Sequence, residues 1–149
     1  LMVEMQALVC HSNFGIPRRQ ATGVDFNRVN LLMAVLEKRL GLQMSGCDAY
    51  VNLAGGIRIQ EPAVDLGMVM AIVSSFKNRP VDESTVVFGE VGLSGEVRAV
   101  SLAEQRLQEA VKLGFTTCVM PRANADMLKN TKNIKVIGVS NVQEAIELI

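Results

Sequence analysis

The 149-residue chain has no tryptophan, one tyrosine, one histidine and three cysteines, and its formal net charge is zero. Each scarcity excludes something. Cys10, Cys47 and Cys118 lie far apart and form no CxxC pair. With His11 as the lone imidazole, Cys10-His11 supplies two zinc ligands at most. All three cysteines are therefore read as ordinary buried thiols, and an odd, unpaired count fits a reducing, cytoplasmic setting. No apolar run reaches the ~18–20 residues of a membrane span, and no signal peptide is visible. No GxxxxGK[ST] stands anywhere, so no ATP site of the P-loop kind is expected. Zero net charge does not advertise nucleic-acid binding, yet it leaves room for a local basic patch.

What is present is a globular composition, 49% hydrophobic and 20% charged. The opening "LMVEMQALVC" runs straight into a strand-like pattern. It suggests a fragment cut from a larger protein, or a natural start with its first residues missing. The periodicity predicts a strand over 2–10, then a turn-rich segment to Gly23. A helix follows over "DFNRVNLLMAVLEKRLGL", capped by Asp25 and ended at Gly41. "DAYVNLAGG" reads as a strand, Pro62 to Phe76 as a helix, and "TVVFGEVGLSGEVRAV" as a β-hairpin turning at "GLSG". "SLAEQRLQEAVKLG" reads as a helix with a Ser101/Glu104 capping box, closed by Gly114. The tail alternates "TTCVMP" strand, "NADMLKN" helix, "IKVIGV" strand and a last helix capped by Ser140 or Asn141, in the manner of a parallel unit. The expectation is a single α/β (α+β) domain over residues 1–149, without internal linker or repeat.

Chemistry is sparse. The glycines of "GEVGLSGE" sit in the expected hairpin and open no helix, so they read as turn residues, not as a phosphate cradle. With one histidine and no GxSxG, a Ser/His/Asp triad would need His11. A Ser–Lys dyad stays open in principle. Ser74 and Ser75 lie late in a helix, Ser94 at a hairpin tip, and Ser101 reads as a cap. Glu61 and Asp65 flank the start of the Pro62 helix. They suit a general acid/base pair or a divalent-metal site, or simply a well-charged first turn with Pro62 at N1 and Asp65 paired with Arg58 or another arginine. Up to residue 60, six basic residues (Arg18, Arg19, Arg28, Lys38, Arg39, Arg58) stand against four acidic ones (Glu4, Asp25, Glu37, Asp48). A loop pair such as Arg18-Arg19 beside the strand-like "QATG" can grip phosphates or form subunit salt bridges.

The blocks "VEMQALV", "FGIPRRQATGVDFNRVNLLMAVLEKRLGL", "YVNLAGGIRIQEPAVDLGMVMAIVSSFKNRP" and "VVFGEVGLSGEVRAVSLAEQRLQEAVKLGF" occur in one order along nearly the whole chain. Together they resemble the C-terminal domain of the bacterial RadA (Sms) family of DNA repair and recombination proteins. Residues from about 122 onward are generic. The resemblance implies the proteolytic-domain fold of Lon proteases, which is ribosomal protein S5 domain 2-like. It also implies a larger protein with an N-terminal zinc finger and a RecA-like ATPase. Such a protein drives branch migration as a hexameric ring on single-stranded or branched DNA, alongside the recombinase RecA. ATP, Mg and Zn are then expected in those other domains, with no cofactor in this one.

Against the Lon pattern GPSAG, Pro62 of "EPAVDL" matches the proline and Ala63 falls at the nucleophilic serine. Glu104 falls at the lysine base. The resemblance thus implies a scaffold without its dyad. The expected role is non-catalytic: hexamer assembly and DNA binding, with Arg18, Arg19, Arg28, Lys38, Arg39 and Arg58 as candidate phosphate contacts. Glu61, Pro62 and Asp65 are expected to be structural. Two other readings are carried. One is a pure oligomerisation or protein-interaction module without DNA contact. The other is a peptidase with a displaced dyad, Ser94 or Ser101 with a lysine such as Lys112.

Overall fold

In the computed structural model, residues 1–13 and 15–149 are described. Phe14, inside the segment expected to be turn-rich, lies outside the described residues. The elements run β1 (Met5–His11), β2 (Arg19–Thr22), α1 (Phe26–Leu40), β3 (Cys47–Leu53), a single 3-10 turn (Pro62–Val64), α2 (Asp65–Lys77), β4 (Thr85–Val87), β5 (Glu90–Val91), β6 (Val97–Arg98), α3 (Ala103–Lys112), β7 (Thr117–Pro121), α4 (Arg122–Ala125), β8 (Lys135–Val139) and α5 (Val142–Ile146). It is a mixed α/β fold with parallel and antiparallel pairs.

The first sheet has the order β1-β3-β2, with β1 antiparallel and β2 parallel to β3. Strand β3 is central. Cys47, Ala49, Val51 and Leu53 alternate into the core, while Asp48, Tyr50 and Asn52 face away. Helix α1 buries Val29, Leu32, Met33, Val35 and Leu36, a stripe at helical spacing. Asp25 Oδ1 accepts the Asn27 N–H at 3.1 Å, and Gly41 closes the helix at φ 70°. Helix α2 is buried nearly all round, through Leu66, Met68, Val69, Met70, Ile72 and Val73. A helix apolar on every side belongs at the centre of a domain, and α2 packs against β1, α1 and α5. Ser75 Oγ accepts the Val9 N–H at 2.8 Å and ties α2 to β1.

The second sheet, β4-β7-β8, is wholly parallel. Its middle strand β7 buries Cys118, Val119, Met120 and Pro121 in succession, as a strand covered on both faces must. Phe88, Leu107, Ala110, Cys118, Met120 and Ile134 form a second apolar cluster beside the main one, and Val119 and Val139 of this sheet belong to the main cluster.

Several expectations are revised. Strand β1 starts at Met5 and reaches His11, not 2–10, and its edge leaves Cys10 exposed instead of buried. Arg19–Thr22 is a strand, because β3 offers it a parallel ladder that periodicity does not reveal. The hairpin is short: β5 pairs with β6 around Gly92–Gly95, whereas Thr85–Val87 belongs to the other sheet. The Ser101 capping box does not form. Leu102 takes the N-cap position at φ 61° with no side-chain cap, so Ser101 lies one residue too early. The fourth helix sits at Arg122–Ala125, so it starts two residues before "NADMLKN" and ends at that segment's second residue. At α5, Asn141 Oδ1 accepts the Glu144 N–H (2.9 Å) while Glu144 Oε1 accepts the Ser140 N–H (2.6 Å).

Candidate functional site

The chain from Ala54 to Glu61 carries no regular structure and leads into the 3-10 turn. Ala63 is buried, 4% exposed, with only a methyl group at the head of α2. Two backbone bonds lock this turn against the segment that joins β4 to β5. Gly89 N–H donates to Ala63 O at 2.9 Å, and Leu66 N–H donates to Gly89 O at 3.0 Å. A Cβ at Gly89 would press on Leu66 and Val97 at 3.2–3.3 Å, so the close approach needs glycine there.

Asp65 is the one charged residue among the described residues that is fully buried. Its carboxylate is satisfied on every side the geometry offers. Arg28 donates Nε to Oδ1 at 3.0 Å and a terminal amino group to Oδ2, and the Val91 N–H donates to Oδ2 at 3.0 Å. The same Arg28 amino group donates to Val91 O at 2.8 Å. One guanidinium thus joins α1, α2 and β5. Asp65 raises the Arg28 pKa above its ordinary value by this hydrogen bonding, and outweighs the opposing effect of burial. The partner of Asp65 is Arg28, not Arg58. An aspartate with three donors in place holds its proton-accepting sites in structural bonds, which leaves little for acid–base work.

Glu61 lies on the other side of the turn and pairs with Arg106 of α3. Arg106 also donates Nε to Ser101 O at 2.9 Å and stands 5.9 Å over the Phe88 ring. Glu61 and Asp65 are therefore drawn to different arginines. Glu104 stands in the first turn of α3, half-buried, with no side-chain hydrogen bond among the described residues. Among those residues no group of three or more His, Cys, Asp or Glu is placed to hold a metal ion.

The six candidate phosphate contacts divide. Arg19 donates to Cys47 O and Met44 O, and at 3.5 Å to Asn30 Oδ1. Arg28 is committed to Asp65. Arg39 is exposed but anchored by Nε to Leu93 O at 3.2 Å. Arg18, Lys38 and Arg58 are exposed, and no side-chain bond engages them among the described residues. Of the six, Arg18, Lys38 and Arg58 carry no side-chain bond among the described residues, Arg39 is held by Nε alone, and Arg19 and Arg28 are engaged within the fold.

Two of the candidate serines find other uses. Ser74 Oγ donates to Arg79 O and Ser75 bonds Val9. Ser101 and Lys112 flank opposite ends of α3, a ten-residue helix about 15 Å long, too far for proton transfer. Burial pushes the Cys118 thiol up to about 12, and the Cys47 thiol is raised by burial against the pull of Arg19.

A groove runs along the 54–61 segment. Its larger lobe, about 510 Å³, is lined by residues of the β2–α1 turn, including Thr22 and Phe26, and by Gly56, Ile57, Arg58 and Gln60. A smaller lobe of about 390 Å³ shares Val24, Asp25 and Gln60 with it and ends at Arg28, Glu61, Asp65 and Glu90. Ile59 N–H donates to Gly23 O at 2.7 Å and fixes the outer wall. Sequence reasoning missed Arg106 and Gly23. No local pattern couples Arg106 to a carboxylate 45 residues away, and Gly23 read only as a turn.

A family model described as subunit ChlI of Mg-chelatase matches residues 6–124. The chain belongs to that family. Within this ChlI-type family setting, the chain is also similar to proteins named DNA repair protein RadA. That of Bacillus subtilis (strain 168) is 54% identical over 146 residues, 98% of this chain and 32% of the relative. That of Halalkalibacterium halodurans is 53% identical over 148 residues, 99% of this chain and 32% of the relative. That of Synechocystis sp. (strain PCC 6803) is 48% identical over 146 residues, 98% of this chain and 28% of the relative. The chain spans about a third of the length of the curated relatives it matches. No helix among the described residues is long and apolar enough to cross a membrane.

Proposed function

We propose that this chain serves as a non-catalytic Lon-like domain of a RadA-type DNA recombination and branch-migration helicase, where it supports hexamer assembly and contributes to DNA binding. The observation that carries the reading is the head of α2. It keeps a proline and a buried turn, presents the Ala63 methyl where the Lon pattern has a serine, and spends Asp65 on Arg28. The names of the relatives support the DNA repair setting. ATP hydrolysis, with its Mg, and zinc binding belong in this proposal to other parts of such a protein, and RecA is its proposed recombinase partner. DNA contact is assigned to Arg18, Lys38 and Arg58.

Two measurements test this. A fluorophosphonate probe on the 149-residue chain should label no serine; stoichiometric labelling of one serine would establish a peptidase instead. Replacing Arg18 and Arg58 together by Ala should weaken DNA binding and lower the slope of log affinity against log salt by about two. A second reading, a protein-interaction module without DNA contact, is favoured by the bare outer face of the first sheet, where Leu8 is 57% exposed opposite Tyr50. Ring assembly by the chain with no DNA retention at low salt would select it.

A further inference from the structure

The larger lobe holds more than a charge. Phe26 is 43% exposed and Ile57 37% exposed, and both line it with Arg58. Exposed apolar surface beside an unengaged guanidinium is what a single-stranded nucleic acid needs, because it is held by base stacking together with backbone charge. We infer that this lobe accepts one unstacked base of a single strand, against Phe26 and Ile57, with Arg58 on a flanking phosphate.

The lining sorts the strand's parts. Thr22 and Gln60 offer a hydroxyl and an amide to base edges. Asp25 also lines the lobe, and its carboxylate is spent on the Asn27 N–H. Its charge disfavours a phosphate at that wall and leaves the place to a base. In the smaller lobe Arg28 offsets Asp65 and Arg106 offsets Glu61, which leaves Asp25 and Glu90 as its uncompensated carboxylates, so a phosphate backbone is disfavoured at that end. The other way out runs along β2, whose Gln20 and Thr22 are exposed, to Arg18. Thr22 lies four positions along the chain from Arg18, about 13 Å in extended backbone. A strand leaving the lobe therefore meets a second free arginine. A duplex base is stacked on both faces and would first have to be extruded, at a cost of a few kcal/mol, so the lobe discriminates against duplex.

This inference rests on the DNA-binding reading above and narrows it to a surface and a strandedness. The test is fluorescence anisotropy of the 149-residue chain at low salt. The probes are a labelled oligothymidylate, an abasic strand of equal length, and a duplex. The thymidylate should bind more tightly than the abasic strand or the duplex. Phe26→Ala should weaken it about tenfold and erase its advantage over the abasic strand, and Phe26→Tyr should restore both. Arg58→Ala should weaken every strand and reduce the salt slope by about one. Phe26 is the exposed first residue of α1, and unchanged circular dichroism of the Ala variant controls for its fold. If Phe26→Ala and the abasic strand both behave as wild type while Arg58→Ala weakens binding, the base lobe is wrong and phosphate contact stands. If the unaltered chain retains no strand at low salt, the DNA-binding reading itself fails, and the lobe with it.

Discussion

Asp65 and Arg28 show what one buried charge demands. A carboxylate 1% exposed is tolerable here only because a guanidinium and a backbone N–H surround it. Removing either partner strands the other. Asp65→Ala and Arg28→Ala should each cost about 3–5 kcal/mol in urea unfolding, and the double variant much less than their sum. Additive losses would mean that the pair does not act as a unit. Cys118 provides a pH signature. Its folded pKa, raised by burial from 9.0 to about 12, exceeds the unfolded one. Below pH 9 both states keep the proton and its contribution is constant. Between pH 9 and 12 the unfolded thiol ionises first, so stability should fall as pH rises through that window. Urea midpoints should fall more steeply for the unaltered chain than for Cys118→Ala; parallel curves would contradict the burial. At this scale the sequence was informative about Asp65, whose place before an apolar run demands an arginine. It was silent on which arginine, since 37 residues separate the pair.

Among the elements, the junction of β2 and α1 is the tightest. Gly23 sits at φ +84°, and a Cβ there would meet Ile57 O at 2.4 Å and Leu53 Cβ at 2.8 Å. Gly23→Ala combines a left-handed penalty of about 1–2 kcal/mol with a backbone collision. It should destabilise by at least about 2 kcal/mol and break the Ile59–Gly23 bond. Faster amide exchange at Ile59 would report the loss, and an unchanged exchange rate would contradict the close approach. Leu102 is the opposite case. It holds φ 61° at the head of α3 while 60% exposed. Asparagine accepts that conformation more readily, so Leu102→Asn should raise the thermal midpoint by a few degrees. A lowered midpoint would mean that Leu102 makes contacts worth more than its strain. Neither position was legible beforehand. The capping box was a sound local pattern at Ser101, and the chain's path out of β6 displaced the helix start by one residue.

For the whole molecule, the division into two three-stranded sheets and the β5-β6 pair does not make separate folding units. Val119 and Val139 of the parallel sheet belong to the same apolar cluster as α2 and the first sheet. Heat unfolding should therefore be one transition, with calorimetric and van't Hoff enthalpies equal. Two resolved transitions would make the parallel sheet an independent unit. The alternation of helix and strand after residue 101 was readable, because short runs rich in β-branched and apolar residues bounded by turns leave few choices. The pairing of β4 with β7 was not, since Thr85–Val87 lies next to a hairpin in sequence and reads as part of it.

The sequence by itself determined the class of fold, the span of α1 with Asp25 and Gly41 at its ends, and the bare methyl of Ala63 after Pro62. These depend on residue type and on spacings within a few turns, where periodicity and capping act. Tertiary structure alone decided that Arg28, not Arg58, neutralises Asp65, that Arg106 takes Glu61, and that Arg58 is left free beside Phe26 in an open groove. Charge partners are chosen by distance in space, and the chain brings residues 28, 65 and 91 together only when α1, α2 and β5 pack around one core.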